Sequence, residues 1–96
     1  MSEKKAYEKK MDAMIREWSA KIDVLKAKAD KAGAEQEIKY RETLQKLRKK
    51  RDEAHRKFDE LRASGDVAWE EFRGGVDQAW NDLKKSIERA QEKFKK

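Results

Sequence analysis

The sequence predicts an all-helical protein, and three observations carry that prediction. Proline is absent, and glycine occurs only four times in 96 residues. Charged residues make up 48% of the chain and hydrophobic residues 36%, so the apolar groups suffice for narrow stripes along helices and not for a thick globular core. The apolar residues also recur with helical spacing, which places them on one face. We expect a single helical domain over residues 1–96.

An eleven-residue repeat organises the first two thirds of the chain. Eleven residues fill three helical turns at about 3.67 residues per turn, so positions eleven apart stay on one face. The pattern favours one long helix over residues 3–63, with a coiled-coil-like seam. Three series carry the repeat: Tyr7, Trp18, Ala29, Tyr40 and Arg51; Met11, Ile22, Gly33, Leu44 and His55; Met14, Leu25, Gln36, Leu47 and Phe58.

A turn is predicted at residues 64–66. Glycine just beyond a helix end tolerates the left-handed conformation that closes a helix, which suits Gly65, and Asp66 can cap the helix that follows. The apolar pattern also changes phase there. We therefore expect a shorter antiparallel helix over residues 66–95, which makes the protein a helical hairpin.

Glycines inside the helical pattern leave an alternative open. Gly33 keeps the phase of the eleven-residue repeat and has no capping side chain immediately after it, so we read it as helix interior at a cost of about 0.5–1 kcal/mol. A break there would instead give a compact three-helix bundle with turns near Gly33 and Gly65. The apolar phase also continues across Gly74 and Gly75, which favours close packing of a neighbouring helix over a break.

The predicted first helix is longer than the second, so the second helix covers only the C-terminal half of the first. Fully burying one large apolar side chain is worth about 1.5–3 kcal/mol, so we expect a second copy of the chain to cover the remainder. The prediction is a homodimer that forms a helical bundle. The residues of this self-association seam are Tyr7, Met11, Met14, Trp18, Ile22 and Leu25.

Acidic and basic residues alternate at helical spacing along most of the chain. An acidic residue four positions before a basic one stabilises an isolated helix by about 0.2–0.5 kcal/mol. This interleaving favours a solvated polar face. The predicted ion pairs are Asp12–Arg16, Glu17–Lys21, Glu35–Lys39, Glu42–Lys46, Asp52–Arg56 and Glu53–Lys57.

The net charge of +6 comes from the first two thirds of the sequence and is densest at residues 46–57. A basic segment of this kind can bind nucleic acid without sequence preference, because the contacts depend on phosphate charge. Nonspecific nucleic-acid binding is therefore an alternative function, although the interleaved acidic residues and the absence of a known base-reading motif argue against it. The candidate basic patch is Lys46, Arg48, Lys49, Lys50, Arg51, Arg56 and Lys57.

No chemical motif points to an enzyme. The chain has no cysteine and a single histidine, His55, and it lacks a phosphate loop, a dinucleotide fingerprint and a calcium loop. Asp52 and His55 are three residues apart, loosely like one element of a di-iron bundle, but the cations around them disfavour a metal. We expect no catalytic, cofactor or metal site and no small-molecule substrate.

Three segments carry a resemblance to known proteins: MSEKKAY at residues 1–7, WSAKIDVLKAKADK at 18–31 and AWEEFRGGVDQAW at 68–80. They resemble a family of small bacterial coiled-coil proteins that is usually labelled stress-response or of unknown function. The resemblance covers most of the chain and implies a cytosolic helical protein with no established reaction and no catalytic residues. Gly33 departs from the more helix-favouring residue of that family.

These observations predict a non-enzymatic helical interaction or stress-protective protein that acts through self-association and amphipathic helix surfaces. Reversible binding to a membrane surface or to protein clients is a further alternative, since a strongly amphipathic helix of low mean hydropathy suits an interface. The first ten residues are charged and lack the apolar run of a signal peptide. We therefore expect a cytoplasmic location.

Overall fold

Three helices lie side by side in the structure. The computed structural model describes residues 3–94, so residue 95, the predicted end of the last helix, lies outside it. Helix α1 spans Glu3–Asp30, α2 spans Ala34–Ala63 and α3 spans Trp69–Lys93. A helix of 30 residues is about 45 Å long, and the described chain measures 51 × 18 × 17 Å. The helices therefore run antiparallel along one axis, and the all-helical prediction is confirmed.

The uninterrupted helix predicted over residues 3–63 is wrong, because the chain turns at residues 31–33. The last turn of α1 tightens through hydrogen bonds between residues three apart. Gly33 then takes an extended backbone with φ −63° and ψ 158°, and its carbonyl accepts the Glu37 N–H at 2.8 Å. Gly33 thus starts α2 as its N-cap, a position where glycine is well tolerated. The three-helix alternative with turns near Gly33 and Gly65 describes the molecule.

Burial within one chain explains why the break is favoured. Five of the six residues predicted to form a self-association seam are at most 9% exposed inside the bundle, and the sixth is partly buried against the core. Burying each of these side chains stabilises the folded chain by about 1.5–3 kcal/mol. This is more than the stability that a helix loses at a glycine. The argument for a dimer therefore loses its premise, and the structure does not test dimerisation itself. The buried five are Tyr7, Met11, Trp18, Ile22 and Leu25, and the sixth is Met14.

The turn predicted at residues 64–66 is in the right place but differs in detail. No described residue has a positive φ, glycines included, so the left-handed closure is wrong. The hydroxyl and the backbone N–H of Ser64 close α2 instead by donating to the Leu61 carbonyl. The N-cap of α3 is Ala68, so Asp66 does not cap that helix as predicted.

The core forms two clusters joined by Met14, which packs against both. The larger cluster takes residues from all three helices, including Ile22, Leu47 and Ile87. The smaller one lies toward the α2–α3 loop and includes Tyr7 and Phe58. Within residues 3–94, no helix combines the length and apolar composition that a membrane span needs.

The buried residues follow two spacings. In α1 both occur, since Tyr7, Trp18 and Ala29 are eleven residues apart and Met11, Trp18 and Leu25 are seven apart. In α2 and α3 a series of buried positions recurs every seven residues, the period of ordinary antiparallel bundles. These positions are Leu47, Ala54 and Leu61 in α2, and Trp69, Val76, Leu83 and Ala90 in α3.

Helix α3 continues through Gly74 and Gly75, as predicted. The expected close packing of a neighbouring helix is wrong, because a Cβ atom built at either glycine meets nothing within 4 Å. Both positions therefore lie in open space at one side of the bundle.

Candidate anion-binding groove

The predicted basic patch is only partly brought together on α2. Lys46, Arg48 and Lys49 line one open hollow, which Glu42 and Asp52 also line. Lys46 and Lys50 line a groove between α2 and α3, and Arg48 also lines a groove on the other side, between α1 and α2. Arg51 is partly buried and pairs with its neighbour Asp52 at 3.2 Å. Lys49 and Arg56 are exposed, and Lys57 is half-buried.

Most of these cations form no ion pair with an acidic side chain within residues 3–94. Among the described residues, six of the seven have no carboxylate oxygen within 4 Å, and only Arg51 is paired. Of the six ion pairs predicted along the helices, Glu17–Lys21 forms at 3.6 Å, and the other five are wrong. Exposed ion pairs gain little over solvated charges and restrict two long side chains, so helical spacing alone does not bring them together.

Helix α3 supplies the second wall of the α2–α3 groove. Ser86, Arg89 and Lys93 face Lys46 and Lys50 across it. The two lysines of α2 are one helical turn apart, as are Arg89 and Lys93, so each wall carries two cations about 6 Å apart along the axis. No acidic residue lines the groove among the residues that the structure describes.

A hydrogen bond joins the two walls. Lys50 Nζ donates to Ser86 Oγ at 2.8 Å. An ammonium group carries three N–H donors and a hydroxyl can accept and donate at once, so Lys50 keeps two donors and Ser86 keeps its O–H. The buried side chains of Leu47 and Ala90 also line the groove. Apolar surface beneath a charged site excludes some water and strengthens its attraction for anions.

Sequence reasoning missed Arg89 and Lys93. The last third of the chain has equal numbers of acidic and basic residues, which conceals the fact that two of its cations lie together at the groove. The seven-residue spacing of Leu83 and Ala90 is the signal that could have found them. It fixes the core face of α3 and so places Arg89 and Lys93 along one flank.

A second polar cluster ties the start of α1 to the end of α2. Lys4 is only 9% exposed. Its ammonium donates to the Arg62 carbonyl at 3.2 Å and also to the Ser64 carbonyl. Carbonyls at a helix C-terminus lack partners and carry partial negative charge, so Lys4 caps α2 from another helix. Nothing in the local sequence signals a contact across 58 positions.

Tyr7 continues this cluster toward α3. Its hydroxyl donates to Asp77 Oδ1 at 2.5 Å, and Arg73 lies 3.8 Å from the same carboxylate and over the rings of Tyr7 and Trp69. Burial, and then the hydrogen bond to Asp77, raise the pKa of the Tyr7 phenol well above its ordinary value. These contacts fasten three helix segments together, so we read the cluster as structural.

His55 and Asp52 do not come together. His55 Nδ1 instead lies 3.1 Å from Asp59 Oδ2, and both side chains are about half exposed. Within the described residues, no group of three or more histidine, aspartate or glutamate side chains is arranged to hold a metal ion.

Comparisons with known proteins returned no match, whether to a family, to a curated protein or to a solved structure. The resemblance to bacterial coiled-coil proteins therefore stays a prediction, and function has to be argued from the geometry of this chain.

Proposed function

We propose that the protein is a non-enzymatic helical interaction protein that binds polyanions, with nucleic acid as the main partner. One observation carries this proposal. The apolar stripes of the helices are turned inward, whereas the basic residues of segment 46–57 are exposed or partly exposed and, Arg51 apart, form no ion pair within residues 3–94. A partner that approaches the closed bundle therefore meets charged side chains at its surface.

Electrostatics supplies the driving force for such binding. Each phosphate neutralised by a lysine or arginine releases condensed counterions, which favours binding without any reading of base sequence. A net charge of +6 on 96 residues also raises the rate of encounter with a polyanion. The chain carries no recognised base-reading motif, so we expect affinity for nucleic acid of any sequence.

Fluorescence anisotropy with two labelled duplexes of unrelated sequence tests this function. We expect equal affinity for both duplexes, and a dissociation constant of about 10⁻⁴–10⁻⁶ M at physiological salt, with a steep loss between about 50 and 200 mM salt. An absence of binding at 50 mM salt would refute the proposal. A strong preference for one duplex would also contradict it, because charge alone does not distinguish sequences.

A second candidate function is the stress-protective, client-binding or membrane-binding role expected from the sequence. It requires the bundle to open, because the stripe it uses is buried. One observation favours opening: among the described residues, the buried Trp18 Nε1 has no hydrogen-bond partner, which costs about 1–3 kcal/mol in the closed state. Co-flotation with anionic vesicles tests this role, and a protein that stays at the bottom of the gradient contradicts it.

The cellular location and the source of the protein are part of the same proposals. A bacterial source and a stress-response role rest on the sequence resemblance alone, and a cytoplasmic location rests on that resemblance and on the charged first ten residues. Dimerisation would matter mainly for the second candidate, since two opened chains could cover each other's stripes.

A further inference from the structure

We infer that the α2–α3 groove holds the phosphodiester backbone of one nucleic-acid strand between Lys46 and Lys50 on one wall and Arg89 and Lys93 on the other, with Ser86 donating to a phosphate oxygen. The inference rests on the proposed function, and it assigns the contacts with nucleic acid to the α2–α3 groove. Two of the four cations lie outside the basic segment that the sequence singles out.

The dimensions of the groove fit a strand. Along each helix the two cations are about 6 Å apart, and one strand of a duplex carries one phosphate charge for about every 3.4 Å of helix axis, so the two cations of one wall can contact different phosphates. Packed helices lie about 8–10 Å apart, so cations from both walls can reach phosphates of the same strand. The residues that line the groove lie within residues 43–50 of α2 and 86–93 of α3, about 10 Å along the helix axes, so it accommodates a short stretch of a linear ligand.

The chemistry of the groove selects phosphate. Four cations line the groove without an acidic residue in its described lining. Carboxylates lie in the adjoining hollows, Glu42 and Asp52 beside Lys46 and Glu88 and Glu92 beside Arg89, so the groove itself is the position most favourable to an anion. Arg89 offers a planar fork of donors that matches phosphate oxygens. Ser86 adds a neutral donor whose oxygen is already held by Lys50 at 2.8 Å, so its position is fixed before a ligand arrives.

The test compares two variants of equal net charge. In the groove variant, Lys46→Gln, Lys50→Gln, Arg89→Gln and Lys93→Gln remove the four cations. In the control variant, Lys9→Gln, Arg16→Gln, Lys28→Gln and Lys31→Gln remove four exposed cations from α1 and the following turn. Glutamine favours helix about as well as lysine and arginine, and thermal melts followed by circular dichroism verify that both variants fold.

The readout is the slope of log K against log salt, measured with a labelled single strand and a labelled duplex. Each phosphate contact contributes about 0.7 to this slope for single strands and about 0.9 for duplex. We therefore expect the groove variant, which loses four contacts, to lose about 2.8 units of slope with the single strand or about 3.6 with the duplex, and the control variant to keep most of the wild-type slope. Dividing each loss by its value per contact gives the number of contacts removed, and the form that loses more contacts is the ligand of the groove.

The outcomes separate this inference from the proposed function. Equal losses in both variants would mean that net charge alone attracts nucleic acid, which overturns the groove and leaves the proposed function standing. No binding by the wild-type protein overturns the proposed function itself. Equal affinity of the wild-type protein for polyglutamate of matched length would overturn the selection of phosphate. Ser86→Ala, which changes no charge, is expected to weaken binding about threefold without altering the slope.

Discussion

Replacing Gly74 and Gly75 with alanine is expected to stabilise the protein. Both residues lie inside α3, neither has a positive φ, and a Cβ atom at either meets no neighbour within 4 Å. Glycine in a helix interior costs about 0.5–1 kcal/mol relative to alanine, because it loses more backbone freedom on folding. The double variant should therefore gain about 1–2 kcal/mol in the free energy of unfolding.

Urea denaturation followed by circular dichroism measures this gain. The midpoint should rise while the slope with denaturant stays unchanged, since the surface exposed on unfolding is the same. For a domain of this size, each kcal/mol raises the melting temperature by about 4–8 °C. The gain should add between the two sites, because the glycines share no packing partner within the described residues.

Gly33→Ala is the matched control for this prediction. Gly33 has an extended backbone at the N-cap of α2, where alanine is less favourable than glycine, so no gain is expected there. Two results would refute the reasoning: a double variant that is no more stable than the wild type, or a Gly33→Ala variant that gains as much as the double variant. The second result would mean that α1 and α2 can join into one helix.

Three further predictions follow from the packing. Lys4→Met should lower the free energy of unfolding by about 1–3 kcal/mol, since it leaves carbonyls at the end of α2 without their buried donor; the exposed Lys9→Met should change it by less than about 0.5 kcal/mol. Tyr7→Phe should cost about 1 kcal/mol at pH 7 through the lost bond to Asp77. Because the folded protein raises the pKa of Tyr7, the stability from this residue is complete below its unfolded pKa of about 10 and is lost as pH rises above that value. Urea titrations from pH 7 to 11 should therefore show a shallower alkaline loss in Tyr7→Phe than in the wild type. Light scattering during size exclusion should give a monomer of 11.4 kDa, because the seam is buried, and a dimer mass would restore the self-association argument.

Composition and spacing suffice to predict the helical class and the second turn, but not the first. Ala29 and Tyr40 lie eleven residues apart on opposite sides of the break, so the link at residues 31–33 happens to preserve the phase of the repeat. The spacings of four and three residues that build an eleven-residue repeat also occur in a seven-residue repeat. Leu44 and Leu47 fit both patterns, and sequence alone could not decide between them.

The candidate groove depends on tertiary structure for a different reason. Lys46 and Lys50 were within reach of sequence analysis, because they belong to a visibly basic segment. They come to face Arg89 and Lys93 only because α3 folds back along α2. The Lys4 contact is similarly nonlocal, since the carbonyls that it caps belong to the far end of another helix.

Because the core is divided into two clusters, each half of the bundle has its own tryptophan, whose fluorescence can report on that half alone. Trp69 packs beside Tyr7 in the smaller cluster, whereas Trp18 and Trp80 meet edge to face in the larger one. Proteins retaining either Trp69 alone or Trp80 alone would report by their emission whether one end of the bundle melts before the other. If the two emission curves separate, Met14 marks the joint at which cooperativity fails.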